Sequence, residues 1–301
     1  MKKNILFIAY SFNAKFGVGS QRSRALSNLL SEKNYNIKLI EYEKDKSTIL
    51  SNLNWLFNAL VNILFYKHDK IYLSCGPFFH LLPIAILAKI RGKKLYIDFR
   101  DAWSLNILTD YGKLKFSFQN KKSYKYWLAQ TIEKICYKQC YKFIVCTQGM
   151  YQEYGQLFKN NSKLLLIMNG FEHKYPSNTT TFQSNNPIQF ICVGKFAEYS
   201  ELKATKIVLM LRELALKTPI HITMVGCSYE CNFSIFQKLT LEKQVTFLQK
   251  LPHNEVLKLI ENSDVGLLII RDEHLDYGTK IFDYLACSKP VLTSYDSNDF
   301  F

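Results

Sequence analysis

Short, nearly unbroken apolar runs alternate with longer stretches of helical period along the whole chain, and this alternation narrows the fold more than any other feature. In the first half the runs are Ile5–Ala9, Asn36–Glu41, Lys70–Ser74, Lys94–Phe99, Lys142–Cys146 and Leu164–Ile167. Strands apolar at consecutive positions are buried on both faces, as in parallel sheets covered by helices. Between the runs lie helical patterns such as Ser20–Lys33, with Ala25, Leu26, Leu29 and Leu30 assigned to one face. The pattern predicts a doubly wound α/β domain.

The alternation breaks near residue 170. Tyr175–Pro187 (YPSNTTTFQSNNP) is polar, with a proline near each end, and reads as a linker or exposed loop. Strands then resume at Gln189–Val193, Ile220–Val225, Val245–Leu248, Val265–Ile270 and Val291–Thr293, with helices at Lys203–Lys217, Asn254–Asn262 and Thr279–Cys287. A chain of 301 residues holds two such domains. The expectation is therefore two Rossmann-like parallel-sheet domains, residues 1–170 and 171–301, facing a cleft. Ligands in such sheets bind beyond the carboxyl ends of the strands.

Charge divides along the same line. Residues 1–170 hold 26 Lys and Arg against 10 Asp and Glu, whereas residues 171–301 hold 13 against 15. A basic excess confined to one half points to an anionic partner for that half: nucleic acid, anionic lipid or a lipid diphosphate. The eight cysteines include two C-x3-C pairs, but no His or second Cys pair stands at zinc spacing, and reduced thiols are expected. The apolar run after MKK is too short for a signal peptide and reads as a buried first strand. No stretch approaches the roughly 20 apolar residues of a spanning helix.

Several clusters could carry chemistry. Gly17 and Gly19, in the loop SFNAKFGVGS before a helix, permit close backbone approach of an anion to the helix start. A glycine-containing turn without a ligand accounts for them equally well. Arg22 and Arg24 stand in that helix's first turn, where the dipole disfavours cations, and this favours an anionic ligand. Asp98, Arg100 and Asp101 follow a buried strand, placed for a site or for a structural ion pair. Gly194 and Lys195 close a strand, and Lys203 opens the next helix; two such lysines can neutralise a diphosphate. Thr279 can cap a helix beside Lys280, with Asp283 one turn on and suited to ribose hydroxyls.

These segments, taken in order, resemble glycosyltransferase family 4 and its bacterial surface-polysaccharide relatives. FGVGSQRSRALSNLL looks like the family's glycine loop and first helix, and IDFRDAW is similar to its "DFRDPW". FIVCTQGM, IMNGFE, VGKF, ITMVGC, VTFLQKLPHNEVLKLIENSDVGLLI and GTKIFDYLACSKPVL continue the series. The resemblance implies a GT-B fold with a UDP- or GDP-linked sugar held mainly by the second domain. Lys195 and Lys203 match the basic pair on the donor diphosphate, Thr279 and Lys280 the phosphate-side helix start, and Asp283 the acid that holds the ribose. Gly17 and Gly19 would face the donor from across the cleft, and Arg22, Arg100 and Asp101 would lie on the acceptor side. Retention of configuration without metal or other cofactor is implied, with Lys195, Lys203 and Asp101 as the catalytic candidates.

The chain departs from the family pattern in two places. Where members have two glutamates separated by seven residues, it has Leu275 and Asp283, with Glu273 and Asp276 out of register. It also stops at Phe301, before the helices with which members continue, so an incomplete second domain is expected. Asn54–Phe65, with Lys113, Lys115, Lys121, Lys122, Lys125 and nearby aromatics, suits peripheral contact with an anionic membrane at its cytoplasmic face, or else is a core helix. The implied acceptor is a glycan or lipid-diphosphate-linked glycan. Two other readings compete: a noncatalytic GT-B chain that binds donor or membrane, and a nucleic-acid binder. No nucleic-acid motif supports the latter.

Overall fold

All eleven apolar runs form strands, and they assemble into two separate parallel sheets. The computed structural model describes residues 3–12, 18–42, 48–108, 124–171 and 186–294. Gly17, Lys113, Lys115, Lys121, Lys122 and nearly all of the 175–187 segment lie outside the described residues. Two compact units divide the chain, Met1–Met168 and Asn169–Phe301.

The first unit contains β1 (Asn4–Ala9), β2 (Asn36–Glu41), β3 (Lys70–Cys75), β4 (Lys94–Phe99), β5 (Lys142–Val145) and β6 (Leu164–Leu166), ordered β2-β1-β3-β4-β5-β6. Every neighbouring pair is parallel. Parallel neighbours require crossovers, supplied by α1 (Val18–Glu32), α2 (Ile49–Phe65), α3 (Leu81–Ile90), α4 (Trp103–Leu108), α5 (Tyr124–Gln139) and α6 (Gln148–Phe158). The helices α2, α3, α5 and α6 lie side by side, each against the next. Central β1 is buried without interruption from Ile5 to Ala9, as its apolar run requires, whereas edge strand β2 exposes Asn36 and Lys38. On α1, Leu26 and Leu30 meet the sheet core, but Leu29 points to solvent, so the inward stripe is narrower than the apolar pattern suggests.

The second unit contains β7 (Ile188–Val193), β8 (Ile220–Val225), β9 (Val245–Leu248), β10 (Val265–Leu268) and β11 (Val291–Thr293), ordered β11-β10-β7-β8-β9 and again parallel. Two clusters of buried side chains cover its faces. One joins α7 (Glu201–Ala215) and α8 (Tyr229–Lys238) to the sheet, the other α9 (His253–Glu261) and α10 (Lys280–Ala286). In each sheet the winding reverses once, between β1 and β3 and between β7 and β10, opening a crevice at the carboxyl ends of those strands. Strand β10 ends at Leu268 rather than Ile270, because its pairing with β7 stops at Leu267 and that with β11 at Leu268, although Ile269 and Ile270 remain buried.

A glycine fixes how α10 sits on this sheet. An added Cβ at Gly266 would lie 2.7 Å from the Tyr284 ring, so only glycine lets the wholly buried tyrosine lie on the strand. The Tyr284 hydroxyl accepts from Val193 N–H at 3.0 Å and donates toward Leu267 O at 3.1 Å. It thereby satisfies a backbone donor where the β7–β10 ladder has ended.

Candidate functional site

In the second unit the switch-point crevice is built by the β7–α7 turn and the segment after β10. Gly194 has φ +87°, a conformation that side-chain-bearing residues rarely adopt, and nothing lies within 4 Å of where its Cβ would stand. Its glycine requirement is therefore one of backbone conformation. Lys195 beside it is exposed, its Nζ 5.8 Å from the Tyr199 ring centroid. Glu198 ties this turn to the β8–α8 turn: its carboxylate accepts from Phe196 N–H at 3.0 Å, Ser228 N–H at 2.6 Å and Asn232 Nδ2 at 2.9 Å. Buried Asn232 returns a bond through Oδ1 from Ala197 N–H at 2.9 Å. Burial opposes ionisation of Glu198, but the three donors prevail and hold its pKa below the ordinary carboxylate value.

Lys203 crosses the crevice. Its backbone sits in the first turn of α7, where Ser200 caps the helix by accepting from Lys203 N–H at 3.3 Å. Its nearly buried side chain reaches the far side, donating to Ile270 O at 3.4 Å and to the carboxylate of Glu273. The turn after β10 is shaped by two other acids. Asp272 Oδ1 accepts from His274 and Leu275 N–H, each at 3.1 Å, and Asp276 Oδ1 from Gly278 N–H at 2.9 Å. Asp276 thus serves the turn, while Glu273 is the carboxylate brought to Lys203.

Asp283 lies on α10 with both oxygens engaged, Oδ1 3.0 Å from His253 Nε2 and Oδ2 3.0 Å from Lys280 Nζ. Burial works against its ionisation, yet the His253 and Lys280 contacts outweigh it, and its pKa stays below the usual value. Lone pairs remain on the carboxylate for further donors. Thr279 does not cap α10. Its backbone is already helical (φ −56°, ψ −20°) and its hydroxyl makes no capping bond, whereas an N-cap needs an extended backbone.

In the first unit the crevice holds a buried charge cluster. Arg22 Nε and Nη2 donate to Asp98 Oδ2 and Oδ1 at 2.8 and 3.0 Å, and Arg22 Nη1 reaches Met168 O at 3.1 Å. Tyr72 hydroxyl also donates to wholly buried Asp98. Burial alone would lower the Arg22 pKa, but Asp98 more than compensates and raises it above its ordinary value. The anion that balances the cation beside the start of α1 is therefore the protein's own aspartate. Gly19 lies in that helix's first turn. Arg100 Nε and Nη2 point at Cys75 O, 3.4 and 3.3 Å away, and Asp101 is exposed at the carboxyl end of β4.

The structure thus gathers Gly194, Lys195 and Lys203 at one crevice, Lys280 and Asp283 on the helix that follows β10, and Arg22, Arg100 and Asp101 at the crevice of the other unit. Sequence reasoning missed Glu198, Asn232 and His253 and left Glu273 without a role. Each acts through a partner 30 to 70 positions away, and no local spacing announces it.

No family model matches the chain, and no curated protein matches it in sequence. Solved structures do match in fold. Sucrose-phosphate synthase from Thermosynechococcus elongatus is 12% identical with a TM-score of 0.64, the match covering 96% of this chain and 80% of that one. WaaG, a glycosyltransferase involved in lipopolysaccharide biosynthesis, is 13% identical with a TM-score of 0.62, covering 95% and 80%. An alpha-glucosyltransferase in complex with UDP and a 13-mer DNA is 8% identical with a TM-score of 0.57, covering 97% and 79%. At such identities the likeness establishes architecture, and the architecture is GT-B: two parallel-sheet units of six and five strands, the second the smaller.

Proposed function

We propose that the chain is a retaining, metal-independent glycosyltransferase of the family 4 kind. It moves a sugar from a UDP- or GDP-linked donor to a glycan or lipid-diphosphate-linked acceptor in surface-polysaccharide synthesis, at the inner face of the plasma membrane. The observation that carries this reading is the second unit's crevice, where a glycine turn, an exposed lysine and a part-buried Lys203–Glu273 pair meet at the strand ends. Rupture of the sugar–phosphate bond leaves negative charge on the departing diphosphate, and Lys195, with the open backbone at Gly194, supplies fixed positive charge for it. Lys203 holds Glu273 as the carboxylate available to sugar hydroxyls in place of the acid missing at Leu275. Asp283, oriented by His253 and Lys280, receives the ribose, with Thr279 beside the phosphates. Arg100 and Asp101 serve the acceptor, Asp101 as a catalytic candidate. Two of the similar structures support the substrate class, one a transferase of lipopolysaccharide biosynthesis and one bound to UDP.

The test is thermal shift with UDP and GDP, joined to nucleotide release from a panel of nucleotide sugars with membrane extract. Lys195→Ala and Asp283→Ala should each weaken nucleotide binding about tenfold, the loss of one charge-assisted contact, while the chain stays folded. Unchanged affinity in both variants means the site is misplaced. A shift without turnover leaves a donor-binding, noncatalytic chain.

A further inference from the structure

Helix α2 carries two apolar seams. Ser51, Trp55, Ala59 and Ile63 are buried against the first unit. Leu50, Leu53, Phe57, Leu60 and Leu64, spaced three and four apart, run down the opposite side. Leu50 and Phe57 are each 70% exposed, and no charged residue occurs anywhere in the helix. An apolar seam left exposed opposite the buried one belongs against something apolar, with the exposed Asn54 and Asn58 lying between the two seams. The neighbouring helices continue the surface: α3 exposes Ile86 and Ile90, and α5 exposes Trp127 and Leu128.

The charges on this layer have one sign. Across α2, α3 and α5 the exposed charged residues are Lys89, Lys125, Lys134 and Lys138, and the sole acid, Glu133, is wholly buried. A second copy placed on this face would set the same lysines against one another with no acid to answer them. A nucleic acid would satisfy the lysines but gain nothing from Leu53 and Phe57. Lipid with anionic headgroups satisfies both, since apolar side chains enter the acyl boundary while lysines and Trp127 sit among the headgroups. Because its inner seam is fixed to the unit, α2 can lie only in the plane of the membrane. Among the described residues no helix is long and apolar enough to cross one.

We propose that the outer surface of the α2–α3–α5 layer docks on an anionic lipid bilayer, with Leu53 and Phe57 as the inserted residues. This deepens the membrane part of the function proposed above and is independent of the donor site. The test is co-sedimentation of the full chain with phosphatidylcholine vesicles, with and without about 30 mol % phosphatidylglycerol, at low and high salt. The expected result is salt-sensitive binding to the anionic vesicles, reduced about tenfold or more both in Leu53→Asn/Phe57→Asn and in Lys125→Glu/Lys134→Glu. All of these positions are exposed, so both variants should keep the parent's melting temperature and its shift with UDP. Vesicle binding that neither variant changes overturns the proposal. So does its absence alongside self-association abolished by Leu53→Asn/Phe57→Asn, or alongside duplex-DNA binding abolished by Lys125→Glu/Lys134→Glu. In the parent chain, no binding to the anionic vesicles with an intact UDP shift sinks the docking face alone, and vesicle binding without a UDP shift sinks the donor site alone.

Discussion

Glu133, on α5, is wholly buried and held by neutral donors: Ser104 N–H at 2.9 Å, Ser104 Oγ at 2.5 Å and Tyr154 hydroxyl at 2.8 Å. It anchors the start of α4, just after Arg100 and Asp101. Burial pushes its pKa up to about 7, the three hydrogen bonds recovering only part of the cost of ionisation. A raised folded-state pKa contributes stability that is fully present below the unfolded value near 4.5 and lost as pH rises through about 7. Glu133→Gln keeps an acceptor for Ser104 N–H and Tyr154 and can donate to Ser104 Oγ without any charge. Urea unfolding at pH 5.5 and pH 8 should therefore show the parent losing on the order of 2–3 kcal/mol of first-unit stability that the variant retains. Equal pH dependence in the two proteins would show that Glu133 ionises without penalty. Residues of this kind were the least legible part of the chain. The charges at Arg22 and Asp98 were conspicuous in the sequence, but their mutual pairing spans 76 positions, so Arg22 read as a cation awaiting a ligand. His253 and Glu198 gave no signal, because their partners come from other elements.

Elements were far more legible, and β10 with α10 shows both the reach and the limit of the pattern. Parallel strands buried on both faces announce themselves as unbroken apolar runs, so each run found in the sequence is a strand, with ends displaced by a residue or two. Helix α3 lacked such a signal, since LLPIAILAKI is apolar nearly all round and has no periodicity to detect. The contact between Gly266 and Tyr284 was also invisible, although it sets how α10 lies on the sheet. Gly266→Ala should cost about 1–3 kcal/mol by overpacking. Tyr284→Phe should cost a similar amount, roughly 1–3 kcal/mol, by leaving Val193 N–H without its acceptor. In a double-mutant cycle the Gly266→Ala cost should shrink when Tyr284 is replaced by leucine, which removes the ring that the new methyl meets. Additive costs would mean that glycine is needed there for a reason other than the ring.

At the scale of the whole molecule, the order of elements was readable because each parallel sheet requires strands and crossovers to alternate, and the break near residue 170 falls close to the boundary between units at Met168. The charge division follows that boundary. The first half carries the lysine excess and the exposed apolar layer, and the second half the crevice proposed for the donor. Each unit has its own buried core, so a ligand held by one should stabilise that one first. If UDP is bound by Gly194, Lys195 and Asp283, saturation at about a hundred times Kd adds roughly 2.7 kcal/mol to the opening free energy of the segments that hold it. Amide hydrogen exchange reads such differences segment by segment. Protection by UDP should concentrate at residues 193–204, 253–257 and 270–284, with β2, α2 and β6 of the first unit exchanging at their ligand-free rates. In Lys195→Ala, at the same UDP concentration, that protection should fall in all three segments together, because they share one ligand. Protection centred instead on the turns after β1 and β3 would transfer the nucleotide to the first unit's crevice. The bidentate Arg22–Asp98 pair there would then have to open to admit it.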